Sequence, residues 1–180
     1  MLSSIIICLV IAQRLVELLT AKRNEKWILQ QGGYEVGASH YPWMVAMHTL
    51  FFVFLIMEVF LFNRPLFPYW ELLIIVFLLV QLARVWCLVS LGKFWNTKIM
   101  ILEQAKRVQK GPYRWLNHPN YLIVTIELLV LPTLLGAYYT AVLFTFLNIL
   151  MLKIRIPIEE QALQNAFFKQ TSQHERESKN

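Results

Sequence analysis

The sequence contains no aspartate, so all 11 of its acidic residues are glutamate. Cysteine is nearly as scarce. Cys8 and Cys87 each lie inside a hydrophobic run, which excludes a disulfide framework or a thiolate metal site and marks both as small packed apolar residues. There is no G-x-G-x-x-G, P-loop, H-E-x-x-H or G-x-S-x-G, and no grouping of His, Cys and Asp at metal-ligand spacing. A metal-dependent hydrolase and a soluble nucleotide-binding fold both lose their support, and no metal is expected. Charged residues make up 16% of the chain, against about 25% in ordinary soluble domains. The first apolar run, Leu2 to Leu19, lacks a basic leading region and an A-x-A-like cleavage site, and it carries Arg14 and Glu17. It reads as a retained span rather than a signal peptide.

What is present is apolar surface. Hydrophobic residues form 57% of the 180-residue chain and the mean hydropathy is +0.49, values that suit one membrane-embedded unit. The expected fold class is an all-α integral membrane protein of about five transmembrane helices. A helix needs roughly 20 apolar residues to cross the hydrocarbon, because nothing there can satisfy an unfolded backbone. Leu2 to Leu19, Trp43 to Phe62 and Trp70 to Leu91 meet that length. The apolar stretch from Tyr121 to Leu152 is too long for one helix and is broken near Pro132 and Gly136. It predicts a hairpin of two short helices, Tyr121 to Leu131 and Ala137 to Leu152. Pro157 to Phe168 predicts an amphipathic surface helix, with Ile158, Ala162, Leu163 and Ala166 on its apolar side. We divide the chain into a membrane domain, residues 1–168, and a polar, frayed tail, residues 169–180.

The net charge of +6 would suit nucleic acid if the basic residues formed a solvated domain, but they flank the spans instead. Nucleic acid is therefore not an expected partner; membrane lipid is. The connections carry three Lys and Arg in 21–42, one in 63–69, six in 92–117, none in 133–136 and five from Lys153 onward. Under the positive-inside rule this alternation puts the three basic segments on the cytosolic face of the cell membrane, with the N-terminus outside.

Two clusters beside the spans hold the reactive residue types. The first is GPYRWLNHPNY, Gly111 to Tyr121, where Pro112 and Pro119 disfavour helix in the residues before them and leave His118 on an irregular junction. Tyr113, Trp115 and Tyr121 offer aromatic faces for an adenine ring or a sulfonium, or else form an interfacial aromatic belt. The second is KIRIPIEEQAL, Lys153 to Leu163, where Arg155 and Glu159 share a face if the helix continues through Pro157. A guanidinium there can hold an anionic oxygen, and a surface ion pair is the plainer alternative. Within the spans lie Arg14, Glu17, Glu58, Arg84 and Glu127. Each costs on the order of 3 kcal/mol to insert and so must find a partner, with Arg14–Glu17 and Arg84–Glu127 the natural pairs. His48 reads as a packed histidine.

The two clusters resemble the isoprenylcysteine carboxyl methyltransferase family, whose enzymes carry G-x-Y-x-x-x-x-H-P-x-Y, a helical hairpin, then R-x-x-x-E-E-x-x-L. Here these are Gly111, Tyr113, His118, Pro119 and Tyr121, then Arg155, Glu159, Glu160 and Leu163. Arg14 to Ile28, His40 to His48 and Gly92 to Lys98 are similar to the short prokaryotic branch. The resemblance implies S-adenosylmethionine as methyl donor, with Tyr113, His118, Pro119, Asn120, Tyr121 and Glu159 as cofactor-binding residues, backbone contacts near Arg107 and Val108, and Arg155 as the catalytic, acceptor-binding residue. The chain departs from the family pattern at Leu122, where a glycine is usual, and at Pro157. The branch implies an alkylpyrone-type polyketide hydroxyl as acceptor, with a functional link to a polyketide synthase; the alternative acceptor is a prenylcysteine carboxylate. A lipophilic acceptor would enter sideways from the bilayer, and a carboxylate or acidic enol needs no general base. The reading of another class is a non-enzymatic scaffold or transporter subunit.

Overall fold

A computed structural model describes residues 1–105 and 107–177, with side chains through Lys169. It contains helices α1 (Leu2–Gln30), α2 (Tyr41–Leu61), α3 (Trp70–Leu91), α4 (Pro119–Leu134) and α5 (Tyr138–Glu177). Short strands β1 (Tyr34–Val36) and β2 (Ile99–Ile101) lie in the two longest connections, and single 3-10 turns occupy Gly92–Phe94 and Gly111–Arg114. Four helices are long and apolar enough to cross a membrane, and α4 is a shorter apolar helix. The chain is thus an all-α, multi-pass membrane protein, as its hydropathy demands.

The spans fall where the apolar runs lie, and the helices outlast them at the ends. At 1.5 Å per residue, α1 is about 43 Å long, beyond the ~30 Å of hydrocarbon, so its last turns carry Lys22, Arg23, Glu25 and Lys26 into water. One seam of each helix is buried. Val10, Met47, Phe51, Leu55, Phe77, Leu128, Leu131, Leu134 and Phe144 join in one core, while Leu9, Val16, Phe60, Leu79, Leu82, Val89 and Val142 face outward, the expected surface for lipid. Cys87 is packed as expected, whereas Cys8 lies on the exposed face of α1.

The in-span charges form a single layer. Arg84 donates to both Glu17 oxygens (2.8 and 2.6 Å) and to Glu127 (2.8 Å); Arg14 donates to the same two carboxylates at 2.6 and 2.8 Å. Gln13 and Gln81 complete the layer. Two cations and two anions joined by these hydrogen bonds cancel the charge that the bilayer would penalise. Glu58 acts elsewhere, accepting the backbone N–H groups of Tyr139 and Thr140 (3.1 and 2.8 Å) and the Thr140 hydroxyl (2.7 Å), so it caps the start of α5 from α2.

The hairpin turn also has a physical cause. Gly136 adopts φ +76°, with Ala137 N–H donating to Pro132 O and Gly136 N–H to Thr133 O, the Schellman closure of a helix end. A Cβ at Gly136 would stand 2.2 Å from Pro65 O, so the α2–α3 connection lies against this turn.

The helix expected at Pro157 to Phe168 is present, as the continuation of α5 through Pro157 rather than as a separate element. Ala162 and Ala166, with Ile158 and Leu163 beside them, pack on Ile99 and Ile101 of β2 and Val36 of β1. The antiparallel pairing of Tyr34–Val36 with Ile99–Ile101 provides this apolar platform, which a helix-only reading could not contain. In backbone α5 reaches Glu177, inside the stretch read as a frayed tail; residues 178–180 lie outside those described. The sheet and α5 together bring the three basic segments to one end of the bundle.

Candidate functional site

Two cavities meet at that end. The smaller, about 100 Å³, is a cleft between the β2 connection, the start of α4 and the middle of α5, lined by Asn96, Tyr113, His118, Asn120, Tyr121, Arg155 and Glu159 among others. The larger, about 460 Å³, runs down between α1, α2, α4 and α5 and is mostly apolar, with Val10, Met44, Phe52, Val124 and Leu152 in its walls. That volume lies within the roughly 300–1,000 Å³ of small-molecule sites. Leu15 and Leu18 of α1 and Val45 and Ile56 of α2 line this cavity and are also exposed on the outer surface, so it opens sideways between these two helices. Trp95, Asn96, Asn120, Tyr121 and Arg155 line both cavities and form their common wall.

Proline chemistry builds the cleft. Pro119 is the first residue of α4, and His118 caps it at φ −133°, outside helical geometry, as the proline rule requires. The imidazole thereby turns back toward α5. It stacks on Tyr121 with 5.3 Å between centroids and 10° between planes, and its Nε2 lies 3.2 Å from a Glu160 oxygen. Tyr121 donates its hydroxyl to Glu159 and accepts from Arg155 Nε at 2.7 Å. One turn of α4 and two turns of α5 are therefore tied together through a single phenol. Burial pushes the Tyr113 hydroxyl far above its usual range, so it stays neutral at any working pH.

Arg155 is the centre of the arrangement and is 4% exposed. Besides Tyr121 it donates to Thr97 O at 2.7 Å and to Met44 Sδ at 3.1 Å, and its guanidinium lies 5.6 Å from the Tyr121 ring centre. The rest of its N–H fork is uncommitted. Among the described residues no carboxylate forms an ion pair with it, although Arg84, the other buried arginine, and the partly buried Arg14 each have two. A buried, unpaired cation is costly, and an anionic ligand is the ordinary remedy. Nearby His40 does not add to the positive charge, because burial and the Arg155 charge hold it below its usual value.

The predicted residues Tyr113, His118, Asn120, Tyr121, Arg155 and Glu159 thus come together in one cleft. Pro119 is buried behind it as the helix start, and Arg107 and Val108 stand outside the lining of either cavity. Trp115 is 71% exposed and takes the aromatic-belt role, while Tyr113 and Tyr121 take the cleft role. Several site residues escaped sequence reasoning. Trp95, Asn96 and Thr97 lie in GKFWNTK, whose polar side chains carried no assigned role, and Thr97 acts through its carbonyl, which no side-chain pattern reveals. His48 had a usable signal: Tyr41, Met44 and His48 recur at helical spacing on one face of α2, and all three line the larger cavity.

The polar groups of the cleft also suit part of a polar cofactor, the cleft alone, at about 100 Å³, being smaller than a whole small-molecule site. Asn120 Oδ1 and Trp95 Nε1 are buried in the common wall with no hydrogen-bond partner among the described residues, one an acceptor and the other a donor. Carboxylates for an ammonium and aromatic faces for a sulfonium or purine stand around them, groups that suit S-adenosylmethionine.

Comparison with known proteins agrees with this reading. The chain is 44% identical over 160 residues to the uncharacterized protein YpbQ of Bacillus subtilis (strain 168), covering 89% of this chain and 95% of that one. It is 27% identical over 164 residues to an uncharacterized protein of Haemophilus influenzae, covering 88% and 92%. No solved structure matches. The model of the isoprenylcysteine carboxyl methyltransferase family matches residues 72–165, a little over half of the chain and the part that contains both clusters, so the protein belongs to that family.

Proposed function

We propose that this membrane methyltransferase moves the methyl group of S-adenosylmethionine onto an oxygen of a lipophilic acceptor, at the cytosolic rim of the cell membrane. The observation that carries the reading is Arg155, a buried cation with no carboxylate partner among the described residues, set in the wall between a polar cleft and an apolar cavity. When bound, the cofactor supplies an electrophilic methyl on a sulfonium. Glu159 and Glu160 suit its ammonium, Tyr113, His118 and Tyr121 its sulfonium and ring, and Asn120 Oδ1 and Trp95 Nε1 its polar edges. Arg155 turns the acceptor's anionic oxygen toward the cleft. The apolar cavity holds the tail and strips water from the oxygen, so positioning and desolvation carry the catalysis.

Our preferred acceptor is an alkylpyrone-type polyketide hydroxyl, which a long apolar cavity with one polar end accommodates. The family's description favours the second reading, a prenylcysteine carboxylate, and a lone guanidinium suits that as well. Transfer of labelled methyl by the purified protein to each class decides between them: product from the alkylpyrone is expected, and transfer to prenylcysteine alone would overturn the preference. On the same preparations His118→Ala should weaken S-adenosylmethionine binding by about tenfold, the loss of one good contact. Unchanged affinity would remove His118 from the donor site.

A further inference from the structure

His48 stands in the larger cavity as a base that nothing has claimed. Its Nδ1 lies 2.9 Å from Met44 O, and a carbonyl can only accept, so the proton sits on Nδ1 and the Nε2 lone pair is left over. The other groups in that cavity able to take a proton are already engaged. Glu17 and Glu127 accept from Arg14, Arg84, Gln13 and Gln81, and the Tyr121 oxygen accepts from Arg155. The same Met44 that holds His48 through its carbonyl receives Arg155 on its sulfur. Imidazole and guanidinium therefore both touch Met44 and line the same cavity.

We propose that His48 Nε2 is the proton acceptor for the substrate, and that the acceptor accordingly enters the cavity as an un-ionised hydroxyl of a long-chain compound rather than as a carboxylate or an enolate already without its proton. The inference rests on the methyltransferase reading and deepens it. A carboxylate arrives without a proton to lose, and a histidine base beside it would be idle. A hydroxyl must lose one. The acceptor oxygen gives its proton to Nε2 and uses the freed pair to bond the methyl carbon, whose bond to sulfur breaks with its pair going to sulfur. Arg155 steadies the oxygen as charge develops, and the imidazolium later returns its proton to water. The charges facing His48 cancel among themselves on three elements, Arg14 and Glu17 of α1, Arg84 of α3 and Glu127 of α4; Arg155 of α5 alone stays unbalanced until an anionic oxygen forms.

The test is nitrogen NMR on the full-length protein with isotope-labelled histidine, with His48→Gln used to assign one of the four histidines. The probe is a dodecyl-substituted nitrophenol, with its methyl ether as control. His48 alone should show the Nδ1–H tautomer, the phenol should move its Nε2 resonance toward the protonated position, and the ether should leave it in place. An Nε2 resonance indifferent to the phenol would overturn the assignment. Methyl transfer to the phenol should fall by about 10²-fold or more in both His48→Gln and His48→Phe, while S-adenosylmethionine binding on the same preparations stays within a few fold and shows that both are folded. Equal rates in wild type and both variants would sink the His48 base alone, whereas a wild type that transfers methyl to no acceptor would sink the methyltransferase reading and leave the resonance shift to decide His48.

Discussion

Lys98 shows how a single side chain fixes the rim. Its ammonium donates at 2.9 Å to Glu25 at the end of α1 and at 2.9 Å to Glu35 of β1, and these two hydrogen bonds raise it above its usual value. A raised folded value means that the stabilisation is present in full below the unfolded lysine value of about 10.4 and declines as the pH climbs beyond it. The unfolding temperature of the wild type should therefore drop more steeply above that pH than that of Lys98→Met. Parallel curves would show that the pairs contribute nothing. Arg84 tests the buried layer in the same way. Arg84→Met leaves Glu17 and Glu127 sharing Arg14 and should cost about 3–5 kcal/mol in denaturant unfolding, whereas replacing all four charges, Arg14, Glu17, Arg84 and Glu127, by apolar residues should recover most of that. Equal losses in the two variants would contradict the network. At this scale the sequence was informative about pairing, since Arg14–Glu17 and Arg84–Glu127 follow from the cost of insertion alone. It was silent on the crossed contacts, because those depend on how α1, α3 and α4 are rotated against one another.

Among the elements, the α4–α5 hairpin was readable because Pro132 and Gly136 interrupt an otherwise unbroken apolar run. Gly136 has two independent reasons to be glycine, a positive φ and a neighbouring carbonyl. Gly136→Ala should lower stability by about 1–3 kcal/mol in thermal unfolding, and a neutral result would mean that the turn relaxes freely. The continuity of α5 was less readable. Proline usually marks a boundary, and here it does not, because the residues after it bury against β1 and β2 and that packing outweighs one missing hydrogen bond. Three-residue strands carry too little periodicity to be seen, so the platform that receives α5 was invisible in advance.

For the molecule as a whole, the hydrophobic spans bring sequence-distant segments to one rim. His118 and Glu160 are 42 residues apart, Arg155 and Thr97 are 58, and Arg155 and Met44 are 111. Motif order located the cleft, since both its halves bear recognisable residues. The apolar cavity beneath it had no motif to reveal it, because the α1 and α2 residues that line it are mostly ordinary lipid-compatible ones. The division of labour between cleft and cavity meets at Arg155. The decisive measurement is transfer of labelled methyl from S-adenosylmethionine to a long-chain acceptor by wild type and Arg155→Ala side by side, at saturating donor. Our account expects product from the wild type and a loss of about 10²-fold or more in the variant, with donor binding far less affected. Equal rates in the two proteins would contradict it.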